Sequence, residues 1–338
     1  MNKAASVEQV DVLAQAARMY YEQNLSQSQI AQRLGRSRPT ISRMLAAARE
    51  QGIVRIEIRV PQERNESLER ALVRRLGLVD CRVMAASGDA QEAVERLGRG
   101  AAGYLNALLQ DGMTVGISSG RSLAATARFL EPNQSVRLEI VQVIGAIATD
   151  DATTDTPVIA RALAKAYDAR CRYLHVPLVV ADAQARDLFM RDRSVAATLQ
   201  LAMRADVVIV GVGTLNKDRG PLFDGLLSPK ELAAISASGG VGHICGEHFD
   251  STGQRLDIDI NDRVVGIGLG ALRRIPRVVA VAGGARKATA IIAAARSKYF
   301  DTLITDELAA AAILRVVDEQ WPRPAARGRP SPDAAPAA

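Results

Sequence analysis

Within seven residues the chain sets Ser37, Arg38, Thr40, Ser42 and Arg43, a donor set suited to reading a DNA duplex. A guanidinium can donate two hydrogen bonds to guanine O6 and N7, and hydroxyls reach base edges or phosphates. Either Arg38 or Arg43 suits the first contact; Thr40 or Ser42 suits the second. A second group is built for anions. Ser118, Ser119, Gly120, Arg121 and Ser122 form a glycine–serine turn between an apolar run and a helical one. The backbone N–H groups at such a turn, together with the hydroxyls and the guanidinium, can hold a phosphate. Similar turns carry Ile144 and Gly145, then Gly211, Gly213 and Thr214, and Lys287 follows Gly283–Gly284. A third group, His243-x-Cys245-x-x-His248, puts three metal-capable side chains within six residues. Its setting on a strand and turn reads as buried or pocket-lining side chains, so no metal is expected. His175, in an apolar run, reads as a core histidine.

The elements that must position these groups are legible in the spacing. Apolar residues recur at helical intervals over 7–22. Ser26 and Gln29 form a capping-box pattern ahead of Ile30, Ala31 and Leu34, and Gly35 stands where a helix would end. Ser37 can cap the next helix, with Pro39 in its first turn, where a missing N–H costs nothing. Ile41, Met44, Leu45 and Ala48 form its apolar stripe. Helix, four-residue turn and helix make a helix-turn-helix, with Ala31 small at the crossing and the arginine-rich leading edge aimed at a major groove. The alternating run IVRIEIRV after Gly52 reads as a wing, with Arg55 and Arg59 on one face.

Beyond a linker at 61–66, apolar runs at 81–86, 113–118, 138–147, 171–180, 206–213, 241–246, 277–284 and 301–306 alternate with helical patterns. Strands this apolar predict a parallel sheet covered on both faces. The glycine turns then gather at the carboxyl ends of the strands, where open α/β sheets bind ligands. The expected organisation is a DNA-binding domain over 1–60, an effector domain over 67–318 and a tail rich in Pro, Ala and Arg over 319–338.

Charge and composition narrow the function. The 338 residues carry a formal net charge of +6. Nine basic and five acidic residues in the first 60 place +4 of it in the helix-turn-helix region, as DNA contact requires. No apolar stretch predicts a membrane span and no leader is read at the start, so a cytoplasmic protein is expected. Three cysteines are too few for a disulfide framework. GVGTLN lacks the third glycine of a dinucleotide fingerprint, so no cofactor is expected. An enzyme would need a positioned acid–base pair, for which Asp306, Glu307, His243 and Glu247 are the candidates.

An ordered series of motifs resembles the SorC/DeoR-type sugar-binding transcriptional regulators over about residues 10–315. It comprises LSQSQIAQRLGRSRPTISRMLAAAREQGIV, VGISSGRSLAA, VQVIGAI, ADVVIVGVGT, GLLS, GHICGEHFD, INDRVVGIGLGALRRIPRVVAVAGGARK and LITDE. The resemblance implies a winged helix-turn-helix joined to a Rossmann-like domain of the sugar-phosphate-isomerase type that lacks isomerase activity. It implies a phosphorylated sugar or polyol as effector, control of a carbohydrate operon through an inverted repeat, and a homotetramer. The alternative is a sugar-phosphate isomerase or deaminase with an added DNA-binding module. By the resemblance, Gly120, Arg121 and Ser122 supply phosphate contacts, Ile144 and Gly145 lie beside the sugar, the Gly211–Thr214 turn forms another wall and Lys287 is a second anion contact. With Ile144 where a lysine could form a Schiff base, non-covalent binding is expected by that route. The family usually has an acid where this chain has His243, which points to a different ligand, one with a carboxylate or second phosphate if the imidazole is cationic.

Overall fold

The computed structural model describes residues 4–54, 64–132, 136–148, 151–215 and 226–320. The chain divides into two compact units, Met1–Pro61 and Gln62–Ala338. The first holds helices α1 (Ala4–Tyr21), α2 (Gln27–Leu34) and α3 (Arg38–Glu50). The capping box forms as the sequence predicts: Gln29 N donates to Ser26 Oγ (3.3 Å), and Ser26 N donates to Gln29 Oε1 (2.9 Å). Leu13, Ala16 and Ala17 of α1 bury against Ile30 and Ala31 of α2 and Ile41, Leu45 and Ala48 of α3. Ile53 and Val54 pack on this core. The rest of the expected wing, with Arg55 and Arg59, lies outside the described residues, as do 61–63 of the expected linker, the stretch from Asn216 to Gly225 and the tail from 321.

Gly35 ends α2 in the left-handed region at φ 61°, its N–H donating to Ala31 O. A β-carbon built there meets nothing within 4 Å, so Gly35→Ala carries a backbone cost and no clash. The expected loss is about 1–2 kcal/mol, read as faster amide exchange in α2 and α3 of the full chain.

The second unit holds strands β1 (Asp80–Met84), β2 (Thr114–Ile117), β3 (Glu139–Gln142), β4 (Arg170–Arg172), β5 (Val207–Gly211), β6 (Gly213–Thr214), β7 (Gly240–Ile244), β8 (Glu247–Asp250), β9 (Arg277–Val281) and β10 (Thr302–Asp306). Its helices are α4 (Glu66–Leu76), α5 (Ala90–Leu108), α6 (Arg121–Arg128), α7 (Thr156–Ala166), α8 (Ala183–Arg191), α9 (Arg193–Met203), α10 (Pro229–Ala237), α11 (Asp259–Asp262), α12 (Leu269–Leu272), α13 (Ala288–Arg296) and α14 (Glu307–Gln320). Seven strands pair in the order β1-β10-β9-β5-β2-β3-β4, every pair parallel. Successive residues of β5 serve opposite faces, as strand alternation requires. Val207 and Ile209 pack with Leu105, Leu123 and Leu163 of α5, α6 and α7, whereas Val208 and Val210 pack with Leu72, Leu199, Ile291 and Ile313 of α4, α9, α13 and α14.

The structure corrects the expected layout at several places. The run 241–246 does not join the parallel sheet: β7 lies between β6 and β8 in a separate three-stranded antiparallel sheet. The runs 138–147 and 171–180 are true strands only up to Gln142 and Arg172. Beyond these they continue as isolated bridges, Ala146 to Pro177 and Val179 to Val264. Their backbones approach so closely that a β-carbon at Gly145 would sit 2.6 Å from the Pro177 carbonyl. His175 is exposed, because alternation buries Leu174 and Val176 on either side of it. Helix α4 begins at Glu66, capped by Asn65 within the expected linker, and α14 continues two residues beyond 318. Among the described residues no helix is long and apolar enough to cross a membrane.

Candidate functional site

In the first unit, Ser37, Arg38, Ser42 and Arg43 are exposed and Thr40 is half-buried. Two of these five serve the fold. Thr40 N donates to Ser37 Oγ (3.3 Å), and the two hydroxyl oxygens lie 2.8 Å apart. Ser37 and Thr40 thus shape the N-terminal turn of α3, while Arg38, Ser42 and Arg43 stand outward from it. Exposed Arg33 and Arg36 precede them, adding positive charge to the same edge.

In the second unit, the carboxyl ends of the adjacent strands β10, β9, β5 and β2 open into one cavity of about 500 Å³. It is lined by Ser118 to Leu123, by Gly211 to Thr214, by His243, Cys245 and Gly246, by Gly283 to Lys287 and by Asp306. All but two of the expected effector residues meet there. Ile144 and Gly145 do not line it: Ile144 is fully buried and bridges to Gly266, and Gly145 packs on the Pro177 backbone. Ile147 lines it instead. Asp155 sets that turn, its carboxylate accepting from Ile147 N (2.8 Å), Ala148 N (3.1 Å) and Thr156 N (2.7 Å).

Two turns at the cavity carry groups that could hold an anion. Gly120 precedes α6 at φ 124° and, having no side chain, leaves the helix without a side-chain cap. Its N–H donates to Thr154 O (3.1 Å), which fixes the loop. The first-turn N–H groups of α6 therefore face the cavity with Arg121 among them. On the far side of β9, Gly284 (φ 91°) starts the Ala285–Lys287 turn, also without a side-chain cap. Lys287 is drawn down to about 8, by burial first and then by the positive charge of Arg121, against the pull of Asp306. The two cations share one field. Asp306 is a brace: its carboxylate accepts from Gly284 N (2.7 Å) and Ala309 N (2.8 Å).

The His243 imidazole is held well below its ordinary value by burial, and further by His248 and Lys287. It is neutral at neutral pH, so it adds no charge that would require a second anionic group on the ligand. Burial pushes His248 down to about 4 and the Cys245 thiol up to about 12. His248 Nδ1 donates to Asn261 Oδ1 (3.1 Å), since the Asn261 amide nitrogen itself donates to two carbonyls. Cys245 Sγ lies 3.9 Å from Ser118 Oγ. Among the described residues no group of three or more His, Cys, Asp or Glu side chains is placed to hold a metal ion.

Gly213 opposes His243 across the β6–β7 pair. A β-carbon there would fall 1.7 Å from His243 Nε2. Gly213→Ala is therefore expected to displace the imidazole and weaken ligand binding by roughly tenfold, about 1.4 kcal/mol, in calorimetric titration. Sequence reasoning did not find Ile147, Thr154 or the α5 residues Ala93, Val94 and Leu97 that also line the cavity. Apolar residues at helical spacing look the same whether they face a core or a cavity. The Asp155–Thr156–Pro157 start of α7 is the one local signal that marks the Ile147 turn.

Residues 60–315 match the family model described as "Putative sugar-binding domain", and residues 8–55 match a homeodomain-like domain. The chain is 33% identical over 302 residues to a deoxyribonucleoside regulator of Bacillus subtilis, covering 89% of this chain and 96% of that one. It is 32% identical over 313 residues to the transcriptional regulator LsrR of an Enterobacter species, covering 90% and 93%. Among solved structures, the full-length sorbitol operon regulator SorC of Klebsiella pneumoniae superposes with a TM-score of 0.70 at 27% identity, covering 91% of this chain and 99% of that one.

Proposed function

The chain belongs to the SorC/DeoR-type family of sugar-binding transcriptional regulators, and we propose that it is a repressor whose operator affinity is set by a phosphorylated sugar or polyol in the cavity of the second unit. The observation that carries this reading is the meeting of Arg121, Lys287 and two helical turns without side-chain caps around one cavity. A phosphate dianion satisfies all four features at once. The relatives named for deoxyribonucleoside and sorbitol regulation support a sugar or polyol as the body of the ligand. The carboxylates an enzyme would use support a regulator. Asp306 braces two backbone N–H groups, Glu247 accepts from Leu269 N and Arg255, and Glu307 accepts from Asn65 and Ala86 N.

The regulator acts in the cytoplasm as a homotetramer on an inverted repeat, in front of genes for carbohydrate or polyol breakdown. Two-fold symmetry of the protein is mirrored in the half-sites. Leu188, 70% exposed on helix α8, which packs on the core through half-buried Ala185 and Met190, supports a second copy of the chain as a packing partner. Arg43 or Arg38 reads a base edge, Ser42 assists, and Ser37 and Thr40 hold the helix start in place. Ligand acts by linkage: it favours one quaternary arrangement, and a coupling of about 1–3 kcal/mol changes operator affinity roughly 5- to 150-fold.

The test is selection of duplexes from a randomised pool by the full chain, followed by titration of the selected DNA with sugars and their phosphates. An inverted repeat should be enriched, and a phosphorylated compound should weaken binding where its unphosphorylated parent does not. No enrichment at low salt, or no response to any phosphate ester, would overturn the reading.

A further inference from the structure

We propose that Glu307 is the positioning residue that couples the cavity to the first residues of the second unit, by clamping Asn65 between two walls of that cavity. The proposal rests on the reading of the cavity as an effector site. Strand β10 runs straight into α14, and three successive residues at the junction divide two tasks. Asp306 and Leu308 line the cavity, and Asp306 accepts from Gly284 N (2.7 Å), at the start of the Lys287 turn. Glu307, between them, does not line it. Its Oε1 accepts from Asn65 Nδ2 (2.8 Å), 242 residues earlier, and its Oε2 accepts from Ala86 N (3.0 Å). The next residue, Ser87, lines the cavity again. One carboxylate thus joins two cavity walls to the segment by which the chain enters the second unit.

The entry segment is built to carry a displacement. Arg64 Nε and Nη2 donate to Glu69 (3.0 and 2.7 Å), and Glu69, itself buried, also accepts from Val83 N (3.0 Å). Asn65 N donates to Val83 O (2.9 Å), while its side-chain oxygen caps α4 at Leu68 N (3.2 Å). At its other end α4 is tied to α14 by the Arg75–Asp318 ion pair. The entry segment, α4, β1 and α14 therefore form one connected block. The Glu307 carboxyl is held below its ordinary value by Asn65 first and by Ala86 N second, so it is ionised and both hydrogen bonds are charge-assisted. An anion that draws in the Gly284–Lys287 turn acts through Asp306 on the first turn of α14, and through Glu307 on Asn65. Coupling between distant groups runs through such contiguous hydrogen-bonded and packed elements.

The experiment is amide hydrogen exchange of the full chain with and without inorganic phosphate, against potassium chloride at equal ionic strength, with calorimetric titration of phosphate alongside. In the native chain phosphate should change exchange over 64–69 and 84–87 by about threefold or more. Asn65→Asp keeps the oxygen that caps α4 but sets a carboxylate against Glu307; Glu307→Ala removes the clamp. Both variants should bind phosphate within about twofold of the native affinity and lose the change over 64–69. The double variant Asn65→Asp, Glu307→Gln exchanges donor and acceptor across the contact and leaves an oxygen for Ala86 N. It should restore the change; failure to do so would mark the loss as structural and overturn the proposal. Phosphate binding without a change over 64–69 in the native chain, or a change that survives in both single variants, would also overturn it while leaving the effector reading intact. Absence of phosphate binding to the native chain would overturn both.

Discussion

Arg121→Glu is expected to abolish the response to a phosphorylated ligand, lowering its affinity by at least roughly a hundredfold, while DNA binding persists. The change removes a charge-assisted donor, itself worth about 1.5–3 kcal/mol, and places a carboxylate at an anion site. Lys287 provides an independent readout. Its value near 8 reflects burial and the repulsion of Arg121. A bound phosphate raises that value, so the favourable contribution is complete below pH 8 and is lost as pH rises above it, about tenfold per pH unit until the bound-state value is reached. The phosphate itself reaches its dianionic form above about pH 6. Affinity in the native chain should therefore be highest between about pH 6 and 8. In the Arg121→Glu chain any residual binding should hold to higher pH, because Lys287 has lost its repelling neighbour. Calorimetry across pH 6 to 10 checks both, and an unchanged profile would remove Arg121 and Lys287 from the site.

Arg43→Ala should weaken binding to a selected operator by roughly 10- to 100-fold and relax the sequence preference at one position in each half-site, as loss of a bidentate base contact does. Arg38→Ala distinguishes the two arginines. If Arg38 contacts phosphate, its loss lowers affinity evenly across sequences and reduces the salt dependence by about one counterion. Arg38 and Arg43 are exposed, whereas Ile41 and Leu45 are buried, so neither change should disturb the three-helix core. Anisotropy titration at several salt concentrations, with the selected duplex and single-base variants, separates these effects.

The helix-turn-helix was legible because its geometry rests on local chemistry. The Ser26–Gln29 box, the left-handed Gly35 and the Ser37 cap are each encoded within four residues of where they act. The parallel core was legible for a related reason, since β5 and β9 are apolar on both faces. What escaped depends on contacts remote in sequence. That β7 leaves the main sheet follows from its pairing with β6 and β8; its apolar pattern is that of any buried strand. Within the site, the loops showed themselves by glycine and hydroxyl content. Ile147, three residues past the expected Ile144, lines the cavity, and its N–H is held by the Asp155 carboxylate eight residues downstream. The neutrality of His243 was beyond reach, since it arises first from burial, which the tertiary packing sets, and then from His248 across the β7–β8 hairpin and Lys287 from a remote segment.

Arg121 and Lys287, set against each other, make the cavity hospitable to any small anion that enters it. Inorganic phosphate or sulfate bound between them would relieve that repulsion. As competitors for the same site they would make the ligand threshold scale with the background anion concentration. Phosphate starvation should then lower the amount of ligand needed to release the operator, and in vitro dose–response curves should move in parallel with the phosphate content of the buffer.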